Sequence, residues 1–519
     1  MLQKINGGSF LLIALLSLVI FFFYLGGIPL LDPDEPVYAQ TPKEMLAFSD
    51  LISPRIYGEF WYDKPPMYYW LVAGAYQLFG INEFAARFPS ALLGLITVLY
   101  IYQMGTRFFG ERAGFLSAMI LATSIEFFYL GKAAVTDMTL TFCLTVALLS
   151  FIDKRYYLFY IFAGLATVTK GPVGILFPAI IIFIYLLVTR RWHELTAIKL
   201  PQGIFIFAAV ALPWYVAMYQ LHGAAFIDTF IGFHNVTRFT SPEHPEGVLW
   251  YYFIPVLILG FFPWSAVAAQ AVWASIVNGN RAFSKLAFLN CWAWFIFLFF
   301  TISRTKLVSY ILPMFPPLAM IVGWHIATLL ERRTRHGQTV WAACLLVLGL
   351  LLAAGSIIGS REMPQLAGGA YATAAVFGLM AVVSSYWLWK NKIKRAFALQ
   401  VAAMAIFSVI FMTMLLPAVE PIFSSRQFAK EFQVKYDGQA PVYIAKFLRP
   451  GLAFYADFYG IEIESNWGDA PLLADVVATE KGKAYFIIQR VQYNKLSPGE
   501  QQKLTLLVQV ADNMLLVKE

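Results

Sequence analysis

Apolar residues in this chain come in long runs separated by short polar turns. The runs lie near residues 9–28, 85–106, 113–130, 135–152, 156–169, 172–189, 203–221, 249–273, 286–302, 307–329, 339–358, 370–389 and 397–417. A helix of roughly 20 apolar residues crosses a hydrocarbon core, so these read as about thirteen candidate membrane spans. A cleaved signal peptide competes for the first run, but no small-x-small site follows Tyr24, and an anchored first span is expected. The expected fold class is therefore an all-α polytopic membrane protein. A transmembrane domain is expected over residues 1–419 and a soluble domain over 420–519, where strand-like stretches at 442–447 and 484–489 predict a small α/β fold.

The first loop, 29–84, is long, and its segments 42–48 and 67–79 look amphipathic, which predicts juxtamembrane helices lying in the interface. No internal repeat stands out, which weighs against a transporter built from two related halves.

Composition agrees with a bilayer as the main solvent. The 519 residues are 60% hydrophobic and 13% charged, with 47 Phe, 27 Tyr and 14 Trp. The formal charge of +8 does not point to nucleic acid, because most cations sit in alternate turns. Those turns hold Arg107 and Arg112, Lys154 and Arg155, Arg190, Arg191 and Lys199, Arg281 and Lys285, Arg332, Arg333 and Arg335, and Lys390, Lys392, Lys394 and Arg395. The positive-inside rule then places the N-terminus in the cytoplasm and, with an odd number of spans, 420–519 outside. Cys143, Cys291 and Cys344 lie in apolar runs and read as core residues, with no disulfide or thiolate metal site.

The remaining ionisable residues gather on the predicted external side, where charges beside apolar spans are candidates for function. In DPDEPVYA (32–39), Asp34 and Glu35 follow a proline at a membrane exit. Asp34 suits a helix cap, and also a carboxylate that orients or deprotonates an acceptor. In YDKPPMYYW (62–70), two prolines hold Asp63 and Lys64 beside aromatic anchors. Lys64 there is either an interfacial anchor or a grip for a lipid phosphate. GKAAVTDMTL supplies Lys132 and Asp137, the latter also a natural helix cap, and TKGP supplies Lys170. SRTKLVSYILP (303–313) presents Arg304 and Lys306, with Tyr310 expected one turn along on the face of Lys306, a plausible phosphate clamp. These cations could simply snorkel, but the positive-inside rule predicts few of them on this side. His234, Arg238 and His244 occupy a polar loop, where each lone histidine suits a structural role as well as a chemical one. No two ligands show metal-binding spacing; a divalent ion (Zn, Mg or Mn) would require His244 to meet Asp63 or another carboxylate in space.

Taken in order, DPDEPVYA, YDKPPMYYW, the Asp137 hairpin, TKGP, HPEGVLWYYFIPVLILGFFPW and SRTKLVSYILP resemble the protein mannosyltransferase-like bacterial glycosyltransferases of GT-C fold, especially the ArnT-like lipid A aminoarabinose transferases. The resemblance spans residues 32–313, and the later spans and external tail agree with that family's thirteen-span plan and periplasmic terminal domain. It implies a multi-pass monomer of the bacterial inner membrane, with its active face and C-terminus periplasmic. The donor would be an undecaprenyl-phosphate-linked sugar, with 4-amino-4-deoxy-L-arabinose the leading choice. The acceptor would be lipid A or another envelope component, alongside membrane lipids and no nucleic acid or nucleotide cofactor. Asp34 matches the family's first-loop aspartate, and Lys64 its donor-phosphate lysine. Asp137 and Lys170 match cavity-lining positions, and Lys306 and Tyr310 match its KL-x-x-Y element. Asp63 and His244 match candidate metal positions, although a glutamate is more usual at the former. His234 and Arg238 are kept from an EH-x-x-RF pattern, but Phe233 replaces the acid, which leaves the acceptor open.

Three readings compete. One moves mannose or another sugar to proteins or surface glycans; one is a lipid or ion transporter; one is a scaffold. Transporters favour charges near the bilayer midplane rather than at one face, and a scaffold leaves the polar cluster unexplained.

Overall fold

The computed structural model describes residues 6–230, 232, 249–277, 283–332, 335–463 and 471–519. The loop residues His234, Arg238 and His244 lie outside them.

Each apolar run falls on helix. In chain order come α1 (Gly7–Phe22), α2 (Asp34–Ala47), α3 (Met67–Phe79), α4 (Glu83–Phe109), α5 (Glu111–Ala122), α6 (Ile125–Leu130), α7 (Asp137–Ile152), α8 (Tyr156–Lys170), α9 (Val173–Thr189) and α10 (Leu200–Ile227). Further helices cover Phe253–Gly260, Ser265–Val277, Phe283–Ile302, Phe315–Arg332, Arg335–Glu362, Ala367–Trp389 and Ile393–Ile410. Among the described residues, seven helices are long and apolar enough to cross a membrane, or eight if a bent pair counts as one span. The helices α1, α7 and α9 are apolar but shorter.

Two runs that read as continuous are broken. The run at 113–130 divides into α5 and α6, where Thr123 and Ser124 turn their hydroxyls back onto the carbonyls of Met119 and Ile120. Such back-bonding competes with the helical ladder. The run at 249–273 bends by 105° between Phe253–Gly260 and Ser265–Val277, at Pro263, which has no amide to donate.

Two compact units result. The first comprises residues 1–23, 62–68 and 88–411; the second comprises 24–61, 69–87 and 412–519. In the first, small residues let helices approach closely: a side chain on Gly323 would collide with Ser117 of α5. Leucines 11, 12, 15 and 18 of α1 remain more than half exposed, as a lipid-facing surface requires.

The second unit contains a five-stranded sheet of order β4-β3-β5-β7-β6, formed by β3 (Val442–Ala445), β4 (Ile461–Ile463), β5 (Ala484–Gln489), β6 (Thr505–Val510) and β7 (Asn513–Lys518). A small antiparallel hairpin, β1 (Arg55–Ile56) with β2 (Glu59–Phe60), lies in the same unit. β3 pairs in parallel with β4 and β5, and β7 runs antiparallel to β5 and β6. Alternation along β5 serves two cores. Tyr485 and Ile487 pack with Phe428, Phe432 and Leu452 on one face, while Phe486 and Ile488 pack with Leu473 and Val477 on the other. Most of the first loop groups with this α/β fold, and α2 buries Gln40, Pro42, Glu44 and Met45 within the unit.

Candidate functional site

In the membrane unit, α7 and α8 form an antiparallel hairpin, so the first residue of one meets the last residue of the other. That places the Lys170 ammonium 2.7 Å from Asp137 Oδ1, with both side chains largely buried. The same ammonium lies 4.9 Å from the ring centroid of Tyr310, which packs against Phe300 at 5.0 Å. Neither aspartate candidate stands at the N-cap position. The N-cap of α7 is Thr136 and that of α2 is Pro33, and neither makes a side-chain cap bond; Asp137 and Asp34 are the first helical residues.

The expected shared face of Lys306 and Tyr310 is not formed. Leu307 is extended and a 3₁₀ turn begins only at Val308, because the segment tightens before the helix at Phe315. Lys306 is buried, and its ammonium donates to the Ser303 carbonyl at 2.7 Å. Burial and then the nearby Arg304 charge lower its pKa below the ordinary lysine value. Arg304 itself is exposed. Lys64 pairs with Asp63 Oδ1 at 2.8 Å, and Lys132 donates to the Phe23 carbonyl at 2.5 Å.

The second unit holds the Asp34 loop. Asp34 is exposed, but Asp32 and Glu35 on either side of it are buried. Glu35 makes a two-pronged ion pair with Arg87, from Nε to Oε1 at 2.8 Å and from Nη2 to Oε2 at 2.6 Å. Arg87 also donates to the carbonyls of Leu25, Ile28 and Pro29. Asp32 accepts from the Ser425 amide at 2.7 Å and from its hydroxyl at 2.6 Å. The Leu30 amide donates to the Tyr455 hydroxyl at 2.7 Å. Burial raises the Asp32 carboxyl to about 7, against the lowering effect of Ser425. The segment before α2 is thus over-determined on both sides of Asp34.

Sequence reasoning passed over Arg87, Ser425, Tyr455 and Glu126. Arg87 and Glu126 could have been found, since each is a charge inside an apolar run. Both carboxyl oxygens of Glu126 lack a hydrogen-bond partner among the described residues, and the group lies within electrostatic reach of Asp137. Ser425 and Tyr455 carry no local signal. For a metal, the described residues offer no group of three or more His, Cys, Asp or Glu side chains. Asp63 is already paired with Lys64, so no step is assigned to a metal.

Residues 63–216 match the family model for dolichyl-phosphate-mannose-protein mannosyltransferase. An uncharacterized protein of Aquifex aeolicus is 31% identical over 351 residues, covering 66% of this chain and 69% of that protein. The chain belongs to the ArnT-like family of glycosyltransferases. Another relative is the undecaprenyl phosphate-alpha-4-amino-4-deoxy-L-arabinose arabinosyl transferase of Edwardsiella ictaluri. It is 28% identical over 419 residues, covering 75% of this chain and 74% of that protein. The fold of this ArnT-like chain is that of ArnT from Cupriavidus metallidurans, solved bound to undecaprenyl phosphate. That structure has 23% identity, covers 98% of both chains and gives a TM-score of 0.80. It follows that this family member is a multi-pass membrane protein with a small α/β domain after its helices.

Proposed function

We propose that this chain moves 4-amino-4-deoxy-L-arabinose from undecaprenyl phosphate to lipid A or a related envelope acceptor at the periplasmic face of the inner membrane. The observation that carries the reading is the Lys170–Asp137 pair under Tyr310, a fixed cation at the membrane-unit end of a GT-C fold. Relatives named as arabinosyl transferases supply the sugar and the carrier.

Breaking the bond from the sugar C1 to the phosphate oxygen leaves charge on the departing lipid phosphate. Lys64, Lys170, Arg304 and Lys306 are the cations assigned to that charge; Lys64, Lys170 and Lys306 are largely buried, where a cation acts more strongly than in water. Asp137 holds Lys170, and Tyr310 flanks it. Attack on C1 from the side opposite the phosphate inverts the anomeric centre. Asp34 acts on the acceptor: it orients an acceptor that is already an ionised phosphate, or takes the proton if the acceptor is a hydroxyl. Lys132, held by the Phe23 carbonyl, contributes a further positive charge, and Glu35 holds the Asp34 loop through Arg87.

A second reading, transfer of mannose or another sugar to protein or surface glycan, draws on the mannosyltransferase family match over residues 63–216 and on Phe233. Mass spectrometry of lipid A and surface glycolipids from cells expressing wild type or Asp34→Asn separates the two. A sugar-sized mass gain on lipid A that the variant loses supports the first; unchanged lipid A with glycosylated protein supports the second.

A further inference from the structure

A cavity of about 280 Å³ opens at the end of α8 opposite Lys170. It is lined by Lys154, Arg155, Tyr156, Tyr157, Leu158 and Lys199. The helix between has 15 residues, so at 1.5 Å per residue the cavity lies roughly 22 Å from the Lys170 end. It has no part in the chemistry described above.

Its lining has one sign of charge. Asp153, the carboxylate nearest in sequence, is held at 2.5 Å by Arg107 and at 2.7 Å by Arg155. Lys154 and Lys199 have no carboxylate partner among the described residues. The Lys199 ammonium reaches only the Tyr157 hydroxyl, at 3.2 Å, and the face of its ring, at 4.5 Å. Both lysines stand on left-handed backbone, at φ 64° and 52°, where glycine or asparagine is the easier residue.

Two further features add to this lining. Tyr156, Tyr157 and Leu158 are the first three residues of α8, and the first amide of the helix to bond back is that of Phe159, to Arg155. Leading helix amides face outward and favour an anion. The exposed Tyr157 and Trp192 set the depth, because such amphipathic rings gather at the headgroup level of a bilayer.

We propose that this cavity binds a phosphate-bearing anion, supplied by the headgroup of an anionic membrane phospholipid. Cations in a turn are expected from topology alone, but a turn that only satisfies topology needs no concavity lined by two lysines that lack a carboxylate partner among the described residues. The volume is about that of nine waters at roughly 30 Å³ each, room for a phosphate and its glycerol.

Native mass spectrometry of the full chain in neutral detergent tests this, with phosphatidylglycerol, phosphatidylcholine and inorganic phosphate as probes. Wild type should retain phosphatidylglycerol over phosphatidylcholine, and Lys154→Gln with Lys199→Gln should weaken that retention about fivefold per lysine. Arginine at both positions should restore it. Displacement of phosphatidylglycerol by millimolar inorganic phosphate would show that the site reads the phosphate whatever its source. Equal retention of the two lipids by wild type overturns the proposal, as does undiminished phosphatidylglycerol retention in the double glutamine variant. If the glutamine variant melts early, the wild-type lipid comparison and the arginine variant decide.

Discussion

Lys170 and Asp137 are 33 positions apart in sequence and 2.7 Å apart in space, with the lysine also facing the ring of Tyr310. Their side chains are 17% and 11% exposed, so each needs the other. Removing one partner of such a pair leaves a charge without compensation, at a cost of about 3 kcal/mol or more. Lys170→Met should therefore destabilise the protein more than the double variant Lys170→Met with Asp137→Leu. A double-mutant cycle on thermal unfolding in detergent checks this, and additive effects would mean the pair is not coupled.

The buried Arg87–Glu35 pair makes a stronger demand, since Arg87 donates to three carbonyls as well as to the carboxylate. Arg87→Met should cost about 3–5 kcal/mol. Transfer activity should fall with it, even though Asp34 is untouched. Protease sensitivity of the first loop reports the loss, and a loop as resistant as wild type would contradict it.

Asp32 predicts a pH dependence of definite sign. Its folded value is raised from 3.8 to about 7, so between those values the folded state holds a proton that the unfolded state has released. Stability contributed by this group is full below about pH 4, declines as pH rises toward 7, and is level above that. The slope is at most about 1.4 kcal/mol per pH unit. Asp32→Asn, which can still accept from Ser425, should flatten the profile. Thermal melts from pH 5 to 8 compare the two.

Asp34 is exposed, so Asp34→Asn should leave the melting temperature within about a degree of wild type, as surface substitutions usually do. Turnover should drop by roughly 100-fold or more, in the range of a lost acid–base group. Purified enzyme with lipid-linked donor measures both. Retained turnover would remove Asp34 from the mechanism.

How much could be read in advance depends on the range of the interaction. The apolar runs settle the solvent and the helical class, because about 20 consecutive apolar residues have no alternative to a helix in lipid. Strands at 442–447 and 484–489 were equally legible, and β3 and β5 stand there, since period-two alternation is a local signal. So were the ordered motifs, which carried the family resemblance.

Interruptions within runs were not legible as length. Pro263 and the hydroxyls of Thr123 and Ser124 act on single backbone bonds that a hydropathy window averages away. Long-range partners were out of reach altogether. Only the tertiary structure decided that Lys170 takes Asp137, that Glu35 takes Arg87, 52 positions away, and that Asp32 takes Ser425, 393 positions away. By itself, the sequence determined the bilayer as solvent, the order of the helices and the residue types available for chemistry. The structure determined which charge neutralises which, because a buried ion is stabilised by whatever lies within a few ångströms of it, and chain separation carries no record of that distance.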